Sequence, residues 1–298
     1  MTDVSSTATI EPVLISTPGI ELSGLLCRPS QTPRGLIVAL PGGGVCAGYW
    51  DSPLQPQLSL LRLGAQVGFS VLALDRPGYG ASRDHDATRL DLASQVEYVF
   101  DALQAWRTQE SFDAPTFLIG HSVGGILALM MAAHERATAL TAVDVLGVPF
   151  RYPATAAAAA VGSLAAAGGR VPIVTRDTRR WLLFGPQGTY DEDAFEYDCS
   201  CARPIPAAEY RDGLAAPSIW REVLPAIHIP VQINAAEFEQ MQATGLELLE
   251  EVRAQLRNSP HAATHLQRAS GHNASQHHIG RAYHLRALAF FEECMSAR

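Results

Sequence analysis

Thr116-Phe117-Leu118-Ile119-Gly120-His121-Ser122-Val123-Gly124 runs directly into Ile126-Leu127-Ala128-Leu129-Met130-Met131. The first four residues form an apolar run that predicts a buried strand, and the later run predicts a helix. A serine between two glycines at a strand-to-helix junction has the pattern of a nucleophile elbow. The turn is so tight that side chains at Gly120 and Gly124 would meet neighbouring backbone, and the serine itself takes a strained conformation. Taken alone, the pentapeptide reads equally well as a glycine-rich turn with a capping serine. The strand before it and the helix after it favour the elbow.

Outward from this junction the chain alternates between two periodicities. Pro12–Ile15 and Glu21–Leu26 predict a hairpin turning at Pro18-Gly19. Gly35–Leu40 is a continuous apolar run ending in Pro41-Gly42-Gly43-Gly44, and Ser70–Leu74 is another, ending in Asp75-Arg76-Pro77-Gly78-Tyr79-Gly80. Leu140–Leu146, Val231–Asn234 and Thr264–Arg268 complete the predicted strands. Helical spacing appears in Leu90, Ala93, Val96, Val99, Phe100, Leu103 and Trp106, again in Leu246, Leu249, Val252 and Leu256, and again from Ile279 to Phe291. Apolar strands alternating with amphipathic helices predict an α/β fold, a mostly parallel sheet with helices on both faces. The rhythm breaks between Gly147 and Pro225. That stretch holds an alanine-rich helix candidate (Ala154–Ala167), three arginines (Arg176, Arg179, Arg180) read as a solvated face, and several aromatics. The expected organisation is a core of residues 1–147 and 226–298 with an inserted helical cap at 148–225.

The bulk properties bound the rest. The 298 residues allow one large domain, and 47% hydrophobic with 17% charged residues fits a globular chain with a sizeable core. A formal charge of −8 argues against a nucleic-acid partner. Five scattered cysteines (Cys27, Cys46, Cys199, Cys201, Cys294) form no disulfide framework and no zinc pattern, so reduced thiols and no metal are expected. Met1–Ser6 lacks the basic-then-apolar order of a signal peptide, and Ala154–Gly168 is too short to span a bilayer. The expected location is the cytoplasm, with no membrane partner.

With these elements in order, the chain resembles the α/β-hydrolase superfamily from about Pro12 to Cys294. Asp75 to Ser82 is similar to that family's D-x-x-G-x-G-x-S turn, and Leu40-Pro41-Gly42-Gly43-Gly44 resembles its oxyanion loop, with proline where histidine is common. Gly271-His272-Asn273, between the last strand and the last helix, stands where the family carries its catalytic histidine. The resemblance implies an α/β-hydrolase fold, no cofactor, and a triad in the chain order serine, acid, histidine. Ser122 is then the nucleophile and His272 the base. Counting from the strand at Pro230–Asn234, Glu239 falls at the acid position, Glu237 stands two residues earlier, and Asp144 at the end of the strand after the elbow is a competing acid. The oxyanion hole is expected from the N–H groups of Val123 and Gly43, with Gly44 as an alternative donor. The resemblance implies acyl transfer on a small ester or thioester whose acyl group is bulky or apolar. Serine at the elbow disfavours the branches that use aspartate there. Acyltransferase, C–C hydrolase, triad-based lyase and a non-catalytic ligand-binding protein remain open at this stage.

Overall fold

A computed structural model describes residues 9–152 and 169–296. The predicted Ala154–Ala167 helix lies outside the described residues. An eight-stranded sheet carries the structure, in the order β1-β2-β4-β3-β5-β6-β9-β10. β1 (Ile10–Thr17) and β2 (Ile20–Cys27) form the predicted antiparallel hairpin, closed by Gly19 at φ 103°. β2 also runs antiparallel to β4 (Phe69–Leu74). From β4 onward through β3 (Gly35–Leu40), β5 (Thr116–His121), β6 (Ala142–Leu146), β9 (Val231–Ala236) and β10 (Ala262–Gln267), every pairing is parallel.

Alternation along the strands divides the core into two layers. Leu36, Val38 and Leu40 of β3 face one side and pack with α2 (Leu92–Gln109) and α3 (Val123–Ala133). Ile37 and Ala39 face the other side, against α1 (Leu60–Gln66) and the C-terminal helix (Gly280–Ser296). Both faces are covered, which is why these strands read as unbroken apolar runs.

Between β6 and β9 the described chain forms α4 (Arg176–Leu183), α5 (Glu192–Cys201), α6 (Ala207–Ala215) and α7 (Trp220–Val223), with a short antiparallel ribbon of β7 (Arg170–Val171) and β8 (Ile205–Pro206). α8 (Leu246–Gln255) then links β9 to β10, and α9 (Gly280–Ser296) ends the described chain. These elements between β6 and β9 are stitched to loops at the carboxyl ends of the parallel strands. Cys46 N–H donates to Cys201 O, Arg203 N–H to Gly44 O, and Asn273 N–H to Leu183 O. In open parallel sheets such loops gather at one edge, where ligands bind.

Candidate active site

Every candidate residue but Asp144 stands on that edge; Asp144 is the middle residue of β6, short of the strand end where it was expected. β5 ends at His121, and Ser122 takes φ 52° and ψ −118°, outside the ordinary regions for a side-chain-bearing residue. Three contacts over-determine the strain. Ser122 N–H donates to Leu146 O at 2.8 Å, Ile126 N–H donates to Ser122 O at 2.9 Å, and a β-carbon at Gly124 would run into the carbonyls of Leu40 and Pro41. The glycines around Ser122 therefore permit the crossing of helix α3 beneath the loop that follows β3. From Thr116 to Leu129 every residue is buried except Ser122 and Val123, and from Gly35 to Val45 every residue is buried except Gly43. The candidate nucleophile and both candidate oxyanion donors are thus the points where buried segments open outward.

His272 follows β10 and is 2% exposed. Its Nδ1–H donates to Glu239 Oε2 at 2.7 Å, leaving Nε2 as the basic nitrogen. The Glu239 side chain is fully buried, with Oε1 accepting from Met241 N–H at 3.0 Å and Oε2 also from Gln242 Nε2 at 3.3 Å. The edge of the His272 ring lies against Gly147, the residue after Leu146, so that a β-carbon at Gly147 would stand 3.0 Å from His272 Cε1. Ser122 and His272 are therefore referred to the same two residues at the end of β6. Two further contacts hold the histidine loop. His121 Nε2–H donates to the His272 carbonyl at 3.0 Å, and Asn273 Nδ2 donates to Asp198 Oδ1 at 2.9 Å. Burial, and next the neighbouring His272, hold His121 well below the usual imidazole range, so it serves as a neutral brace.

The alternative acids are engaged elsewhere. Glu237 Oε2 accepts from Ala269 N–H at 2.8 Å. Asp144 is fully buried in β6, where Oδ2 accepts from Gln232 Nε2 and Asn234 Nδ2 at 2.6 and 2.8 Å and Oδ1 accepts from the Tyr283 hydroxyl at 2.9 Å. Its oxygens are turned to those donors and not to His272. Gly44 N–H, the alternative oxyanion donor, is donated to the Tyr79 hydroxyl at 3.0 Å. Among the described residues, the Gly43 and Val123 N–H groups make no hydrogen bond.

Burial pushes the Asp144 carboxyl up to about 6, against the pull of its three donors. Near pH 3.5 the carboxyl is protonated in the native state and mostly protonated in the unfolded chain. Between about 4 and 6 the native state keeps a proton that the unfolded chain has released, so stability falls as pH rises. Asp144→Asn can still accept from Gln232 and Asn234 while donating to Tyr283, and it carries no charge to desolvate. It is expected to be more stable than wild type at pH 8, by at most about 3 kcal/mol, and equal to it at pH 3.5. Denaturant unfolding at both pH values checks this; an advantage independent of pH would contradict it.

Sequence reasoning missed two buried ion pairs. Arg179 Nε donates to Asp198 Oδ2 at 2.5 Å. Arg179 is only 5% exposed, so the expected solvated face of Arg176, Arg179 and Arg180 is corrected at its middle member. Arg76 of the turn after β4 pairs with Glu209 of α6, both fully buried. Asp75 beside it is structural, accepting from Ala47 N–H at 2.7 Å and from the Ser23 hydroxyl at 2.6 Å.

The sheet order, the strained serine and the glycine-rich loop together define an α/β hydrolase. The chain belongs to the alpha/beta hydrolase family, which it matches over residues 37–284. Among curated proteins it is similar to mouse (Mus musculus) monoglyceride lipase, 33% identical over 129 residues that cover 43% of this chain and 39% of the relative. It is also similar to phospholipase YtpA of Bacillus subtilis (strain 168), 32% identical over 85 residues that cover 28% of this chain and 31% of the relative. The matched segments thus span under half the length of these curated relatives. A solved thermophilic esterase from Thermogutta terrifontis shares the fold, with a TM-score of 0.68, 16% identity and coverage of 95% of this chain and 99% of that one.

Proposed function

We propose that the chain is a serine hydrolase of small carboxylic esters with apolar acyl groups, working through Ser122, His272 and Glu239. The observation that carries this reading is the buried 2.7 Å contact between His272 Nδ1 and Glu239 Oε2, on a histidine whose ring packs beside the residues that hold Ser122. A carboxylate bonded to Nδ1–H fixes the tautomer that leaves Nε2 free and stabilises the imidazolium that forms on it.

In the first half-reaction His272 Nε2 takes the Ser122 hydroxyl proton as Oγ bonds to the ester carbonyl carbon. The carbonyl oxygen becomes an oxyanion and accepts from Gly43 N–H and Val123 N–H. The carbon–oxygen bond to the alcohol then breaks, and the alcohol leaves with the proton held by His272. Water repeats the sequence on the acyl-enzyme, releasing the carboxylic acid and restoring Ser122. The described residues between β6 and β9 act as a cap over this site, and the lipid-esterase names among the relatives favour an apolar acyl chain under it.

A series of p-nitrophenyl esters of increasing acyl length, run beside matched acyl-thioesters, tests the reading. Turnover of the esters, with a maximum at a defined chain length and a lower rate on thioesters, is expected. Thioester preference would move the substrate class. No turnover together with no fluorophosphonate labelling of Ser122 would remove the acyl-enzyme chemistry.

A further inference from the structure

We infer that Arg76, clamped by Glu209 and Tyr79, is a positioning residue that sets the Gly43 N–H in place as an oxyanion donor. This rests on the ester-hydrolase reading above and names what aligns that site.

Arg76 is fully enclosed, and an unpaired guanidinium there would be strongly unfavourable. All five of its N–H donors are used. Nε donates to Pro41 O at 2.8 Å, and Nη2 donates to Gly42 O at 2.9 Å and Glu209 Oε1 at 3.0 Å. Nη1 donates to Glu209 Oε2 at 2.6 Å and Gln95 Oε1 at 3.0 Å. Glu209 also accepts from the Tyr79 hydroxyl at 2.7 Å and from Gln95 Nε2 at 2.9 Å. Burial, and then the charge of Glu209, raises the Tyr79 phenol far above its ordinary range, so it keeps its proton for Glu209. Its oxygen then accepts from Gly44 N–H. A planar fork satisfying two adjacent carbonyls and a carboxylate at once is a task for arginine and not for lysine.

The consequence for the loop follows from peptide geometry. The Gly42–Gly43 peptide is trans. In a trans peptide the C=O and the following N–H point in opposite directions. Fixing Gly42 O on Arg76 therefore turns Gly43 N–H away from the buried ion pair. The loop borders the elbow. A β-carbon at Gly42 would stand 3.3 Å from Ser122 Cβ, and one at Gly43 would stand 3.0 Å from Val123 Cγ2. Gly43 is the one residue of that loop that opens outward, and its N–H is unengaged among the described residues. The carbonyls of Pro41 and Gly42 and the N–H of Gly44 are all held from below, so Gly43 N–H is left as the donor with a fixed direction. Glu209 belongs to the inserted stretch. That stretch therefore completes the oxyanion loop from within the core, in addition to covering the site.

Arg76→Lys keeps the charge and loses the fork; Tyr79→Phe loosens only Gly44 and one bond to Glu209. In the Arg76→Lys enzyme kcat on the best p-nitrophenyl ester is expected to fall about 10- to 100-fold with KM within about threefold, because a displaced oxyanion donor is felt in the transition state. Affinity for an alkyl boronic acid, which forms a tetrahedral adduct on the serine, should fall by a similar factor, and Tyr79→Phe should shift both in the same direction by less. Amide exchange in residues 40–44 should quicken in both variants. Should Arg76→Lys fail to fold, Tyr79→Phe decides. Wild-type kcat, boronate affinity and loop exchange in a folded variant would overturn the inference and leave the ion pair as a staple of the inserted stretch. A wild-type protein with neither turnover nor Ser122 labelling would sink the hydrolase reading instead, and loop exchange would still judge the clamp.

Discussion

Ser122→Ala is expected to lower ester turnover by at least about 10^4-fold and to abolish fluorophosphonate labelling, with little change in thermal midpoint. Removing the hydroxyl removes the only atom that can bond to the acyl carbon, so the residual rate is that of water attacking a bound ester. His272→Ala should cost about as much, since residues that act as one unit fail together. The stability of the position makes a sharper comparison. Ser122 holds φ 52° and ψ −118°, a conformation that costs an alanine as much as a serine but suits glycine. Ser122→Gly should therefore be as inactive as Ser122→Ala, and more stable than it by about 1 kcal/mol after the entropy of the glycine in the unfolded chain is counted. Paired thermal melts measure the difference. Equal midpoints would mean that the elbow stores no strain, and retained labelling of another serine would place the nucleophile elsewhere.

What the sequence makes legible follows the range of the interaction concerned. β3 was readable to the residue, because Gly35–Leu40 is buried on both faces and carries its own signal. α1 was not read, since Leu60–Gln66 is only seven residues long, mostly apolar, and too short to display a helical period. At β9 the strand continues to Ala236, two residues past the apolar run. The acid loop was still placed by counting from the strand start. Counting left Glu239 and Asp144 as rivals, because both follow the elbow and precede His272, as the chain order serine, acid, histidine requires. Only the packing of β10 beside β9 shows which carboxylate meets His272 Nδ1 and which is enclosed by Gln232, Asn234 and Tyr283. Arg76 and Glu209 lie 133 residues apart. Nothing local marks either as buried. Arg76 stood out only as part of the turn after β4, and Glu209 drew no reading at all.

The same packing makes Glu239→Gln the most informative single substitution after those at Ser122 and His272. Glu239 receives three donors and returns none: Met241 N–H on Oε1, and Gln242 Nε2 with His272 Nδ1–H on Oε2. A glutamine must turn its NH2 toward one side or the other. Facing Met241, it sets two donors against each other in a buried site and leaves His272 opposite a neutral oxygen. Facing His272, it forces the proton from Nδ1 to Nε2, and the base is lost. Either arrangement removes the charge that stabilises the imidazolium, so kcat is expected to fall about 10^3- to 10^4-fold while substrate binding changes little. Glu239→Asp keeps the charge but shortens the reach by one methylene, and should fall between wild type and glutamine. Asp144→Asn, whose partners belong to the sheet interior, should stay within about threefold of wild type in kcat/KM. Steady-state kinetics of the three variants, each checked for folded content, supply the ranking. A larger loss in Asp144→Asn than in Glu239→Gln would transfer the acid role to Asp144 and require the His272 ring to leave its contact with Glu239 during turnover.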